Sequence, residues 1–396
     1  MTPLGGVRVL DLTHLIAGPF CTKLLAELGT EVIKVERPGS GDGARRLGPF
    51  VKDQASQQGS IPFLYLNTGK KSVTLDLKQP EGAELFLRLV AEADAVVENF
   101  APGVLDRLGV GYEAITERQP RVVLTSITNF GQTGPYRDTE ATDLTLMAES
   151  GLLNAVGERD KPPTKIYGPF AQLCGGLHGA AATMTALFAA EVHGIGQHVD
   201  VSIQECLASQ VNSHFVSLAY RDQDTHRHGN QMGLGGATVS VVQPAQDGFI
   251  QIFSRPWDVF FQAIGRPELK EDPRFEPSQR QYHIDEFEAA VVGYTIAHTK
   301  QELFLASQTQ GLPWAPINAV PDLLDDPHLR ERGFFVTIDH PTTGLVPYPG
   351  ALFNMTGMQA IHGPSPLLGQ HNGEVYGQVL GLDPDQMAAL SARGVI

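Results

Sequence analysis

Cysteine is scarce in this chain: Cys21, Cys174 and Cys206 are the only three among 396 residues. Thiols so few and so scattered build neither a disulfide framework nor a zinc site, and no metal is expected. Basic charge is also short. Lys and Arg number 29 against 44 Asp and Glu, a formal net charge of −15. Such a surface repels nucleic acid, because nothing offsets the phosphates over a long contact. No apolar run reaches the roughly 18 residues that span a bilayer, and no N-terminal apolar segment of the export type is visible. The cytoplasm is therefore the expected location, with no membrane partner. Hydrophobic residues make up 42% and charged residues 18%, too apolar for disorder and ordinary for a globular enzyme. The length leaves room for two domains.

What is present is a strong alternation of strands and helices. Val7–Phe20 reads as a buried strand running into a Gly-Pro turn, Cys21–Thr30 as a helix of about ten residues and the stretch Glu31–Asp42 as opening with a second, β-branched strand. A strand–helix–strand unit requires a parallel sheet, and in open parallel sheets ligands gather beyond the carboxyl ends of the strands. At that edge lie Lys34, Arg37, Arg45 and Arg46 among glycines, which reads as a cationic lip for phosphate. The pattern predicts strands at Ser72–Leu77, Asp94–Asn99, Arg121–Ile127 and His198–Ile203, with helices at Gln79–Ala91, Leu173–Glu191 and Gln204–Tyr220. The class is α/β, a Rossmann-like large domain with a parallel sheet and a smaller α+β domain. The large domain is expected over 1–205, a linker and glycine loop over 206–236, the small domain over 237–330, and a segment returning to the large domain over 331–396. Within the small domain a hairpin is expected from Val239–Gln243 and Phe249–Ser254, a capping box at Thr299 and Glu302, a strand in Pro313–Val320 and a helix in Asp322–Arg332.

Several longer segments carry a more specific signal. They include Asn67–Lys78, Glu98–Gly109, Phe130–Tyr136, Gly196–Val201, the loop Gly229–Gly236, Asp272–Phe275, Ala315–Val320 and Asp326–Phe334. Together with the opening they resemble, over almost the whole length, class III CoA-transferases of the formyl-CoA transferase group. The resemblance implies an interlocked-ring dimer and coenzyme A or an acyl-CoA as substrate. It implies that Arg37, Leu75, Lys78, Asn99, Phe100 and Arg107 hold adenine, ribose and phosphates. Their chemistry agrees, since guanidinium and ammonium groups suit phosphate and an apolar face suits a purine. Gly233, Gly235 and Gly236 fall in the loop that, in the family, covers the acyl group and excludes water.

One departure decides the expected mechanism. The family uses an aspartate at the head of a helix, in a pattern like Pro-x-x-Asp-Leu-x-x-Gly-Leu, as nucleophile toward the thioester; its acyl derivatives are reactive enough to pass the group on. Here the segment reads Pro169-Phe-Ala-Gln-Leu-Cys-Gly-Gly-Leu177, and Gln172 stands at the nucleophile's position. An amide hydrogen-bonds but forms no exchangeable anhydride. Ile16 replaces a polar glutamine found in formyl-CoA transferase. Asp143 and Glu149 are read as capping or solvated groups, Asp160 as a loop acid and Cys174 as structural. The racemases of this fold need a histidine where this chain has Thr142, and an aspartate where it has Gln172, so proton transfer of that type is not expected. Two expectations remain. The chain is a non-catalytic subunit of a heteromeric transferase, like those acting on benzylsuccinate or malate, paired with an Asp-bearing paralogue in a heterodimer or heterotetramer. Alternatively it is a self-sufficient homodimer with another nucleophile. The donor expected under the first is succinyl-CoA, and the acceptor a carboxylic acid.

Overall fold

The computed structural model describes all residues except 1, 223–226, 235–236, 255, 277, 280–281 and 359. The chain divides into two compact units, the first formed by residues 1–153, 166–221 and 331–396, the second by 154–165 and 222–330. The first unit holds a parallel sheet of strands β1 (Arg8–Asp11), β2 (Glu31–Glu36), β3 (Lys71–Thr74), β4 (Ala95–Glu98), β5 (Val123–Thr128) and β6 (His198–Ser202), in the order β3-β2-β1-β4-β5-β6. Its helices up to residue 221 are α1 (Ala17–Glu27), α2 (Ile61–Leu66), α3 (Pro80–Val90), α4 (Val104–Arg107), α5 (Tyr112–Arg118), α6 (Asp143–Glu149), α7 (Phe170–His193), α8 (Ile203–Ala208) and α9 (Asn212–Arg221), and its last segment adds Asn372–Gln378 and Pro384–Ala392. The strand order reverses between β1 and β4. Loops leaving those strands diverge there and open a crevice, the usual ligand position in this class of sheet. The strands read as near-continuous apolar runs because helices cover both faces. Val9, Leu10, Ile33, Val73, Val96 and Val97 are essentially inaccessible to solvent.

Helix α7 sits against α1 and β5 on a seam of small residues. At Gly176 a Cβ would lie 2.4 Å from the Ala17 carbonyl oxygen, and at Gly179 one would lie 2.5 Å from Ile127 Cδ1. Alanine exceeds glycine in helix propensity by about 0.8–1.0 kcal/mol, but overpacking against a fixed backbone costs about 1–3 kcal/mol. The clash wins at position 176. Gly176→Ala is therefore expected to lower the thermal transition of the full chain. Gly293→Ala, in the helix Ile284–Thr295 where a Cβ meets nothing within 4 Å, is expected to raise it. Equal shifts of the two variants would refute the close-packing account.

The chain's last segment completes the first unit. Strand β3 is a sheet edge, and its outward N–H groups would be unpaired. The Ser72 N–H donates to His371 Nδ1 (3.0 Å) and the Thr74 N–H to Asn372 Oδ1 (2.8 Å). Tyr376 donates its hydroxyl to the Thr74 carbonyl at 2.7 Å and is wholly buried beside Val375, Leu390 and Val395. The tail thus blocks an edge that would otherwise recruit another strand.

The second unit has its own aromatic core of Phe260, Phe261, Phe275, Phe287 and Trp314, beneath a small antiparallel sheet. Local expectations need correction here. The hairpin pairs Val242–Ala245 with Gly248–Gln251, while Val239 lies in a separate strand, Ala237–Ser240, paired with Gln231–Leu234. The strand expected in Pro313–Val320 shortens to Ala315–Pro316, since prolines remove ladder donors. The helix expected over Asp322–Arg332 splits into Val320–Asp325 and Pro327–Glu331 at a proline. The Thr299–Glu302 capping box forms. In the first unit, Gln204–Tyr220 is two helices, α8 and α9, joined by a 3₁₀ turn at Ser209–Val211. Residues 206–221, assigned from sequence to a linker, are helical and belong to the first unit, whereas 154–165 joins the second.

Candidate active site

Two adjoining cavities of about 410 and 640 Å³ lie at the carboxyl ends of the strands, sharing Leu15 and Phe100. Both are built wholly from the first unit. The smaller is lined by Arg37, Leu75, Lys78 and Phe100, with Arg46 and Ser40. The larger is lined by Ile16, Asn99, Phe100, Arg107, Asp143 and Gln172. The six residues carried over for CoA therefore converge on one cleft, though they span Arg37 to Arg107 in sequence.

The cationic lip is thinner than the sequence suggested. Lys34 and Arg45 are completely buried. Lys34 Nζ lies 2.9 Å from Asp42 and 3.8 Å from Asp11, and donates to the Thr13 carbonyl at 2.7 Å. Arg45 grips Glu36 through two bonds of 2.7 Å and stacks 3.7 Å from the Phe63 ring centre. Each cation has its countercharge within the same short segment, and burial is tolerated only for charges so paired. That leaves Arg37, Arg46 and Lys78 exposed at the cleft.

Lys70, which the sequence did not single out, completes the buried network. Its ammonium meets Asp11 Oδ2, Asn67 Oδ1 and the Pro19 carbonyl, each at 2.9 Å. Three cations, Lys34, Lys70 and Arg45, thus face three anions, Asp11, Asp42 and Glu36. Burial opposes ionisation of Asp11, but Lys34 and Lys70, with hydrogen bonds from Thr13 and Thr22, overcome it and hold the carboxyl at about 2. Burial also draws Lys70 down to about 8, with Lys34 opposing its charge. Burial opposes the charge of Lys34 too, yet its facing carboxylates raise it above the usual lysine range.

The network has a positional consequence. Asp42 Oδ1 accepts the Leu15 N–H at 2.9 Å, pinning a residue with φ of 67°, a left-handed conformation unfavourable for leucine. Asn99 clasps the neighbouring residue from β4, accepting the His14 N–H at 2.7 Å and donating to the His14 carbonyl at 2.8 Å. Both loops of the crevice are thereby fixed to each other. Asn99 is engaged by backbone as well as lining the cavity.

Gln172 is the third residue of α7, and its backbone N–H donates to Asp143 Oδ1 at 3.2 Å. Asp143 thus caps α7, a favourable place for a carboxylate at a helix start. Its other oxygen, Oδ2, is buried with no partner among the described residues, as is the Thr128 hydroxyl on the same cavity. Cys174 does not line the cavity, and burial pushes its thiol up, away from the reactive thiolate. Glu149 is solvent-exposed outside the cavity lining. Asp160 is an exposed residue of the second unit, as the loop reading held. Gly233 lies in the strand Gln231–Leu234 of the second unit, while Gly235 and Gly236 fall outside the described residues. Among the described residues no cluster of side chains could hold a metal ion.

Comparison with known proteins gives a consistent result. The profile of CoA-transferase family III matches residues 4–372. The chain is 34% identical to succinyl-CoA–D-citramalate CoA-transferase of Chloroflexus aurantiacus, covering 100% of this chain and 98% of that protein. It is 34% identical to formyl-CoA:oxalate CoA-transferase of Rhodopseudomonas palustris, covering 99% and 97%. A solved CAIB/BAIF family protein from Brucella suis superposes with a TM-score of 0.83 at 31% identity, over 96% of this chain and 99% of that one. Rv3272 from M. tuberculosis gives 0.78 at 28% identity, over 94% and 99%. With its sheet order, its crevice and this full-length likeness, the chain belongs to CoA-transferase family III.

Proposed function

We propose that this chain is the non-catalytic half of a class III CoA-transferase. The complex moves CoA from an acyl-CoA to a carboxylic acid, and a paralogue with aspartate at the matching position carries the covalent steps. The citramalate relative favours succinyl-CoA as donor. The observation that carries the reading is the pair Gln172 and Ile16 on one cavity wall, an amide and an alkyl group where the family has a nucleophile and its polar neighbour. An exposed apolar stripe supports a partner chain: Leu177, Met184, Phe188 and Val192 recur along one side of α7 and are 38–72% exposed. A continuous apolar face of that kind is characteristic of an interface. CoA is held by Arg37, Leu75, Lys78, Asn99, Phe100 and Arg107, which line the two adjoining cavities.

The test is purification from the native source or by co-expression with adjacent coding sequences. A second chain of similar mass in stoichiometric amount is expected, and the isolated chain is expected to show no turnover. Full turnover by this chain alone would overturn the reading. CoA binding is expected to persist. A charge-assisted contact to phosphate is worth about 1.5–3 kcal/mol, so Arg107→Ala is expected to weaken CoA at least about tenfold by calorimetry.

A second reading, a self-sufficient homodimer, has one observation in its favour. Asp143 Oδ2 is a carboxylate oxygen with no partner among the described residues, on the same cavity as Gln172, and a carboxylate there has the chemistry for acyl transfer. Its capping bond to the head of α7 weighs against it, because covalent modification would have to proceed on a group that also holds the helix.

A further inference from the structure

On the other side of the loop that carries Asn99 and Phe100 lies a third cavity of about 490 Å³, lined by Glu98, Ser126, His198, Gln132, Tyr112 and Asp106. Glu98 ends β4, is 4% exposed, and pairs in register with Ser126 of β5. Its Oε2 accepts the Phe100 N–H at 2.7 Å. The Ser126 hydroxyl lies 2.9 Å from His198 Nε2 at the start of β6, and Tyr112 stacks on that imidazole with ring centres 5.2 Å apart. Beyond Phe100, the His14 ring lies 5.4 Å from the Phe100 ring. A chain of contacts therefore runs from His198 through Ser126 and Glu98 to the backbone of a residue that lines both halves of the substrate cleft.

We propose that Glu98 is a positioning residue for the Asn99–Phe100 loop, and that proton uptake at Glu98 loosens that loop and weakens CoA binding. This rests on the cleft being the CoA site. A carboxylate acceptor makes a bond roughly twice as strong as a neutral one, so the Phe100 N–H is held best when Glu98 is ionised. Burial is the main force against ionisation, with Asp106 of α4 and Asp200 of β6 adding repulsion. The Ser126 hydroxyl and the Phe100 N–H favour the charge, and the balance sets the group at about 7. The His198 imidazole is pushed down by burial against the pull of Asp200 and Asp106. Protonation falls within the physiological window, and its effect passes through one hydrogen bond to Phe100. The sign follows: the carboxylate form, and the tighter loop, dominate above about 7.

The experiment uses the full chain, with its partner if one co-purifies, labelled with ¹⁵N-phenylalanine and compared with Glu98→Gln. The glutamine keeps a neutral acceptor for Phe100 and cannot titrate. The Phe100 amide resonance is expected to shift with a midpoint near 7 in the wild type and to stay level in Glu98→Gln. Calorimetric CoA affinity is expected to fall about three- to tenfold more between pH 8 and pH 6 in the wild type than in the variant. Subtracting the variant removes the titration of the CoA phosphate and of every group that the two proteins share. A Phe100 amide that is flat in the wild type, or that titrates equally in both proteins, would overturn the positioning role. Equal affinity slopes would overturn the link to CoA. Absence of CoA binding at every pH would remove the CoA reading of the cleft, and the amide titration would still decide the role of Glu98.

Discussion

Replacing Asp11 with asparagine is expected to destabilise the first unit by about 3–5 kcal/mol, the cost of leaving a buried charge without its partner. Asp11 is fully buried and is the one carboxylate that Lys70 contacts among the described residues; it also lies 3.8 Å from Lys34, which keeps Asp42. Without the carboxylate, the Lys70 ammonium must stay desolvated or release its proton. The measurement is thermal and chemical denaturation of the full chain. The second arm is the double variant Asp11→Asn with Lys70→Met. A buried ion pair exchanged for apolar groups of similar volume is often neutral or better, so the double variant is expected to regain most of the loss. A single variant within about 1 kcal/mol of wild type, the scale of an exposed ion pair, would show that water reaches this network. The pH sign is distinct from the mutational one. Asp11 is held at about 2 against 3.8 for the free group, so its contribution is present above pH 3.8 and is lost as pH falls through about 2. Neutral and mildly acidic buffers should therefore leave the network intact.

The largest functional effect is expected in covalent trapping. With acyl-CoA and then hydroxylamine or borohydride, the partner's aspartate is expected to be labelled while this chain stays unmodified. Exchanging that aspartate for asparagine is expected to lower turnover by at least about a thousandfold, as removal of a nucleophile does elsewhere. Gln172→Ala is expected to keep turnover within about threefold, since a residue outside the covalent steps contributes little transition-state stabilisation. Gln172→Asp is expected to give little or no rescue: it restores the carboxylate, but Ile16 still offers no polar neighbour on the same wall. An adduct on this chain, formed as fast as turnover, sinks the proposal. Found on Asp143, it would establish the self-sufficient reading, and Asp143→Asn should then abolish activity in a homodimer.

Both expectations turn on where charges end up, which was the least legible property of the sequence. Lys34 and Arg45 are cations like Arg37 and Arg46 and sit in the same short segment. Two are wholly buried and two face the cleft. Strand alternation does not separate them, because both faces of β2 are covered. Their countercharges, Asp42 and Glu36, lie in that same segment, but which cations those acids claim is decided only when the segment folds. Lys70 carries no local signal for the same reason: its partners Asp11 and Pro19 are more than fifty residues away. The Glu98–Ser126–His198 chain had no sequence signal, since only the register of three parallel strands brings it together.

The sequence by itself determined the class of fold, the order of alternating elements and the family. Periodicity, turn residues and extended motifs are local and survive without tertiary context. The long helix α7 was legible for that reason, whereas the division between units was not. Residues 206–221 read as largely helical although assigned to the linker, and the packing of α8 on α6 and α7 accompanies their place in the first unit. The tertiary structure alone decided which cations stay free for a ligand, which carboxylates are held ionised and which loop holds the cleft in shape. A charge's role depends on the dielectric around it and on the nearest opposite charge, and both are supplied by residues that only folding brings within a few ångströms.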